Sequence, residues 1–184
     1  RAHAAGGRDR PPLESRPCVV GEAGGGFRTL APMGSGLSRA RSCLFLGRGM
    51  MFPLALEGAL KLKELSYIHA EGYASGEMKH GPIALIEDGL PVVALVTDDD
   101  HLTKASSNLM EAKARGADIL IITTESAAES VADLGSIVTV PDCDPLVAPI
   151  LLSIPAQILA YLTAVHKGTD VDQPRNLAKS VTVE

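Results

Sequence analysis

Three short stretches carry residues whose types and spacing could do chemistry. Glu57, Lys61 and Glu64 are separated by four and then three residues. On a helix turning 100° per residue, they fall within about 60° of one another, so an acid, an amine and a second acid share one stripe. The ordinary reading of such a stripe is a solvated face stitched by i,i+4 and i,i+3 ion pairs. The chemical reading is a stripe facing a cleft, where burial lowers a lysine's pKa and a carboxylate can shuttle a proton. His80 lies in Glu71–Pro82, bracketed by Gly76, Gly81 and Pro82 on a constrained loop. A loop histidine is commonly a plain surface residue, but its ring titrates near neutral pH and suits acid–base work. Lys179 lies in the last 17 residues, Gly168–Glu184. Apolar and polar residues alternate through Val181, Thr182 and Val183, which predicts an extended tail docked on the domain, with Lys179 held in place. No metal is expected: His69, His101 and His166 join His80 in no H-x-x-x-H spacing.

Several elements must position these groups. Met51–His69 reads as a helix in which Leu54, Leu60, Leu65 and Ile68 flank the charged stripe and Ala55, Ala59 and Ser66 lie opposite. Cys43–Leu46, Pro91–Thr97, Asp118–Thr123 and Ser136–Val140 read as four strands, mostly apolar on both faces. Leu102–Arg115, Ala127–Leu134 and Leu146–Lys167 read as the intervening and final helices, the last closed by Gly168. Strands alternating with helices predict an α/β fold, a parallel sheet covered on both faces. The turn Gly47-Arg48-Gly49 joins a strand to a helix, but a dinucleotide fingerprint needs glycine where Phe52 stands, and no acid follows at a strand end. Nicotinamide binding is therefore excluded, no cofactor is expected, and a helix N-terminus aimed at an anion stays open. Leu146–Val165 is 20 residues without a charge, long enough to cross a bilayer. Its prolines and polar residues, with nothing else membrane-like in the chain, predict instead a helix buried in the core or at a subunit interface.

Length and composition bound the function. The 184 residues suffice for one domain with a tail. Aromatics are 3% with no Trp, and the net charge is −5, which exclude a stacking or phosphate-backbone nucleic-acid binder. Cys18, Cys43 and Cys143 form no C-x-x-C and read as reduced, cytoplasmic thiols. Residues 1–42 differ from the rest, with seven Arg, no Lys, and 8 of the 18 Gly. That composition predicts a low-complexity, mostly disordered segment, without the amphipathic helix of a transit peptide or the apolar core of a secretory signal. Arg1 in place of Met points to a fragment boundary or to a stretch read out of frame.

Leu56–Glu64 (Leu-Glu-Gly-Ala-Leu-Lys-Leu-Lys-Glu), Gly76–Pro82 (Gly-Glu-Met-Lys-His-Gly-Pro) and Asp172–Glu184 (Asp-Gln-Pro-Arg-Asn-Leu-Ala-Lys-Ser-Val-Thr-Val-Glu) resemble the glutamine–fructose-6-phosphate amidotransferase family. The resemblance covers about residues 43–184 and implies the second sugar isomerase (SIS) subdomain, with 43–168 as the subdomain and 169–184 as its tail. It implies a flavodoxin-like αβα sandwich around a five-stranded parallel sheet. It also implies roles. Lys179 is the amine that forms a Schiff base with the open-chain ketose, and Glu64 moves a proton between C1 and C2. Lys61 lies beside Glu64 and tunes or assists it, while Glu57 orients Lys61. His80 helps open the sugar ring and reaches the neighbouring subunit's active site, and Ala178 contacts the sugar through its backbone. The implied partners are a sugar phosphate (fructose 6-phosphate or glucosamine 6-phosphate), a second subunit and, in the full-length chain, a glutaminase domain. Neither nucleic acid nor membrane is expected. Neither the family's amino-terminal nucleophilic cysteine nor its first SIS subdomain matches anything in this sequence, so a carboxyl-terminal part, inactive in isolation, is expected. Two alternatives stay open: a non-catalytic SIS module that senses a phosphosugar, and a fructosamine-type deglycase or isomerase relative.

Overall fold

A computed structural model describes residues 27–175 of the chain. In chain order the elements are α1 (Phe27–Leu37), β1 (Ser42–Gly47), α2 (Met51–Ser66), β2 (His69–Ala74), two 3₁₀ turns (Ser75–His80 and Pro82–Leu85), β3 (Pro91–Val96), α3 (Leu102–Lys113), β4 (Asp118–Thr124), α4 (Glu125–Val131), β5 (Ser136–Val140) and α5 (Ala148–Lys167). The strands form one sheet in the order β2-β1-β3-β4-β5, every pairing parallel. That is the flavodoxin-like doubly wound order, whose switch point lies between β1 and β3.

The period-2 pattern of the strands sorts the two cores. Cys43, Phe45, Val93, Leu95, Leu120 and Ile122 point to one face, where α1, α2 and α5 cover them. Leu44, Leu46, Val92, Ala94, Ile119 and Ile121 point to the other, under α3, α4 and the 3₁₀ turns. Both faces are apolar because both are covered. Helix α5 is long and apolar enough to cross a membrane, but 56% of that stretch is buried in the fold. Its packing against α1 and α2 accounts for its apolarity, as the sequence reading expected.

Three expectations need correction. The sequence reading has four strands and runs the second helix on to His69. That helix ends at Ser66, and residues 69–74 form a fifth strand. The strand is an edge, paired only with β1 and mostly half-buried, so it lacks the continuous apolar run of its neighbours. Gly72 lets it approach α2: a Cβ there would come within 2.7 Å of the Leu56 backbone nitrogen. The third correction concerns residues 27–42 of the segment read as mostly disordered. Residues 27–37 are helical, and Leu30 and Leu37 are buried in the core against α5. Sparse apolar residues in a Gly- and Arg-rich context carry no helical signal, and tertiary packing supplies the stability. The rest of that segment, residues 1–26, lies outside the described residues.

Candidate functional site

Helix α2 places the charged stripe where its amphipathicity leaves it. Met51, Leu54, Ala55, Gly58, Ala59, Leu62 and Ser66 face the core. Glu57, Lys61 and Glu64 lie at the border between that face and solvent, with side chains 39%, 34% and 27% exposed. Lys61 Nζ donates to Glu64 Oε2 at 3.0 Å and sits 3.7 Å from Glu57 Oε1. The three groups form one ion triad, as their spacing predicted. The predicted fall in lysine pKa is not found. The hydrogen bond to Glu64 outweighs partial desolvation and, with the nearby Glu57 charge, pushes the Lys61 ammonium above its ordinary value. Lys61 is therefore a fixed cation clamped between two carboxylates and a poor nucleophile.

The end of α2 joins this stripe to the start of the tail. Tyr67 closes the helix in the left-handed region, with φ 59°, and its backbone N–H bonds to the Lys63 carbonyl. The chain returns there after α5. Thr169 Oγ1 donates to the Leu65 carbonyl at 2.6 Å. The Arg175 backbone N–H donates to the Tyr67 hydroxyl at 2.8 Å, and its guanidinium lies 4.1 Å from the centre of the Tyr67 ring. Neither Tyr67 nor Arg175 was singled out from the sequence. Their pairing joins positions 108 apart, and no local pattern signals it. Lys179, Ala178 and the Val181–Val183 alternation lie outside the described residues.

His80 occupies the opposite end of the molecule. Because β1 and β2 run parallel, α2 must run back against them, carrying Glu64 to the amino-terminal edge of the sheet. Glu64 lies thirteen residues past Met51, about 20 Å along the helix axis. His80 follows the carboxyl-terminal end of β2. One chain therefore does not bring Glu64 and His80 together. His80 is 73% exposed, and its Nδ1 is 2.7 Å from Glu77 Oε2. The turn beneath it is anchored: Met78 is fully buried, and Lys79 pairs with Glu111 of α3 at 2.8 Å.

The Gly47-Arg48-Gly49 turn offers less to an anion than its sequence suggested. The Met51 and Phe52 amides bond back to the Arg48 and Gly49 carbonyls, and residue 53 is a proline without a donor. Arg48 instead lies over Gly76, beside the Asn108 side-chain amide. Among the described residues, no group of three His, Cys, Asp or Glu could hold a metal. A cavity of about 680 Å³ opens between α1 and the amino-terminal edge of the sheet, lined by Met33, Leu37, Arg39, Pro91 and Asp118, and no candidate residue borders it.

The parallel sheet in the order β2-β1-β3-β4-β5, covered by helices on both faces, places the chain in the class of flavodoxin-like α/β domains. A profile of the SIS domain matches residues 36–167, and the chain belongs to that family. It is 60% identical over 149 residues to a glutamine–fructose-6-phosphate aminotransferase (isomerizing) of Agrobacterium fabrum, covering 80% of this chain and 24% of that protein. A protein of the same name from Caulobacter vibrioides is 53% identical over 173 residues, 94% of this chain and 28% of its own length. That alignment leaves at most 11 of the 184 residues unmatched, so it reaches into the amino-terminal segment. A solved structure, the C-terminal domain of glucosamine-fructose-6-phosphate aminotransferase from Francisella tularensis, superposes with a TM-score of 0.84 at 41% identity, covering 88% of this chain and 45% of that one. The chain thus spans about a quarter of the length of the curated relatives it matches.

Proposed function

We propose that this chain supplies the proton-transfer and amine half of a ketose-phosphate site in an isomerising glutamine–fructose-6-phosphate aminotransferase. The observation that carries the reading is the junction at the end of α2. Glu64, fixed by Lys61 at 3.0 Å, stands three residues before Tyr67, where the stem of the tail is attached. Lys179 is four positions past Arg175, a span of at most about 14 Å of extended chain. That span, on this reading, lets Lys179 approach Glu64. In this reading the Lys179 amine adds to the C2 ketone of open-chain fructose 6-phosphate and water leaves, giving an imine. Ammonia from glutamine then displaces the lysine. Glu64 takes a proton from C1 and returns one to C2, giving glucosamine 6-phosphate. Lys61 keeps the Glu64 carboxylate oriented, and Glu57 holds Lys61 from the other side. Ala178 contacts the sugar through its backbone.

His80 opens the sugar ring in the site of a second subunit, and its separation from Glu64 within one chain supports that arrangement. The assembly is a homodimer, the ammonia comes from a glutaminase domain on the full-length chain, and the enzyme works in the cytoplasm. The test is borohydride trapping of the full-length enzyme with fructose 6-phosphate, followed by peptide mapping. The label belongs on Lys179. Lys179→Arg keeps the charge but forms no imine, so it abolishes sugar synthesis while glutamine hydrolysis persists. Glu64→Gln keeps the shape and loses about 10²–10⁴-fold in synthesis rate. A label on Lys61, or an active Lys179→Arg enzyme, overturns the assignment.

A further inference from the structure

Tyr67 is the only residue other than glycine with positive φ among the described residues. An aromatic side chain is a costly occupant of the left-handed region, because its Cβ crowds the following carbonyl. A helix ending in that conformation ordinarily takes glycine or asparagine. This chain does so elsewhere: α5 closes on Gly168, with φ 75°. Strain kept at one helix end and avoided at another needs a compensating contact. The Tyr67 side chain makes two. Its hydroxyl accepts the Arg175 N–H at 2.8 Å, and its ring underlies the Arg175 guanidinium at 4.1 Å. Two residues back, in the last turn of the same helix, the Leu65 carbonyl accepts the Thr169 hydroxyl at 2.6 Å. The stem from Thr169 to Arg175 is thus fastened at both ends to the end of the helix that carries Glu64. Pro174 stiffens the second attachment by fixing the backbone just before Arg175.

We propose that Tyr67 is a positioning residue: it trades a strained helix cap for a grip on Arg175, and so sets where the carboxyl-terminal tail leaves the helix bearing Glu64. This rests on the reading of Lys179 as the imine-forming amine. Strain at Tyr67 is local, whereas its grip acts on a group it does not touch. Relief of the strain offsets the stability lost with the two contacts, so removal of the side chain leaves stability level or higher while the chemistry slows.

The test uses the full-length enzyme, with borohydride trapping of fructose 6-phosphate on Lys179, thermal melting, and amide exchange of peptide 176–184 without substrate. Tyr67→Gly relieves the strained φ and deletes both contacts. The melting temperature is expected to hold or rise, exchange of the 176–184 peptide to quicken, and trapping to slow about 10- to 30-fold, the combined worth of one hydrogen bond and one exposed cation–ring contact. Tyr67→Phe keeps the ring under Arg175, loses only the hydroxyl, and slows trapping about threefold. If Tyr67→Gly traps sugar at the wild-type rate while Lys179→Arg traps none, the positioning role is wrong and the proposed function stands. If the melting temperature of Tyr67→Gly falls in step with trapping, Tyr67 is only structural. If Lys179→Arg still traps sugar at wild-type rate, both readings fall.

Discussion

Gly58 lies midway along the face that α2 presses onto the sheet, one residue after Glu57 and three before Lys61. A Cβ built there would sit 2.8 Å from Phe45 Cε1, 2.9 Å from Cδ1 and 3.7 Å from the Ala156 Cβ. Carbon pairs rest about 3.5–4.0 Å apart, so Gly58→Ala demands a shift of about 0.7 Å from the ring or from the helix. Phe45 cannot yield, since it is 0% exposed on β1, an interior strand of the sheet. Forcing a methyl into such a place costs about 1–3 kcal/mol. Replacing glycine by alanine inside a helix returns about 1 kcal/mol. The net expectation is a loss of up to about 2 kcal/mol, or a melting temperature up to about 8 °C lower. The sign depends on the ring, so a double-mutant cycle with Phe45→Leu isolates it. In the Phe45→Leu background the clash with the ring is gone, and Gly58→Ala should be neutral or stabilising. Melting and urea denaturation of the four proteins measure both numbers. A Gly58→Ala protein more stable than wild type, or an equal effect in both backgrounds, would falsify the close packing of α2 on β1. On the proposed function, a shift of α2 also moves Glu64, so synthesis by the full-length Gly58→Ala protein should fall while glutamine hydrolysis holds.

Lys61→Met removes an ammonium whose pKa its two carboxylate neighbours raise. The stability it contributes is fully present below the unfolded value of 10.5 and is lost as pH rises through the higher folded value. With both partners about a third exposed, it amounts to about 0.5 kcal/mol or less. Denaturation of wild type and Lys61→Met should therefore differ slightly at pH 7–9, and the gap should shrink as pH rises beyond 10.5; a gap that widens there contradicts the triad. Burial pushes the Cys43 thiol far above its ordinary pKa, so mass-mapped alkylation of Cys43 should follow global unfolding in denaturant. Prompt labelling of native protein at Cys43 would contradict that burial. Thr169→Val deletes the hydroxyl that bonds the Leu65 carbonyl and should cost about 1 kcal/mol in urea denaturation; an unchanged midpoint would contradict that bond.

The sequence by itself determined the parts that local rules govern. Strands buried on both faces have no polar side to show, so Pro91–Val96 and Asp118–Thr124 read as strands from composition alone. The Glu57–Lys61–Glu64 triad was legible because helical periodicity is fixed by backbone geometry. The tertiary structure decided the rest. Edge strand β2 and helix α1 are too mixed in composition to declare themselves and exist because α2 and α5 cover them. Lys61 rises in pKa because its carboxylates outweigh a burial that is only partial, a balance no spacing specifies. Glu64 and His80, 16 residues apart in the chain, end at opposite edges of the sheet because a parallel crossover must return along its helix. Tyr67 and Arg175, 108 residues apart, meet because α5 ends beside α2. Contacts between distant positions follow from packing, and periodicity along one segment carries no trace of them.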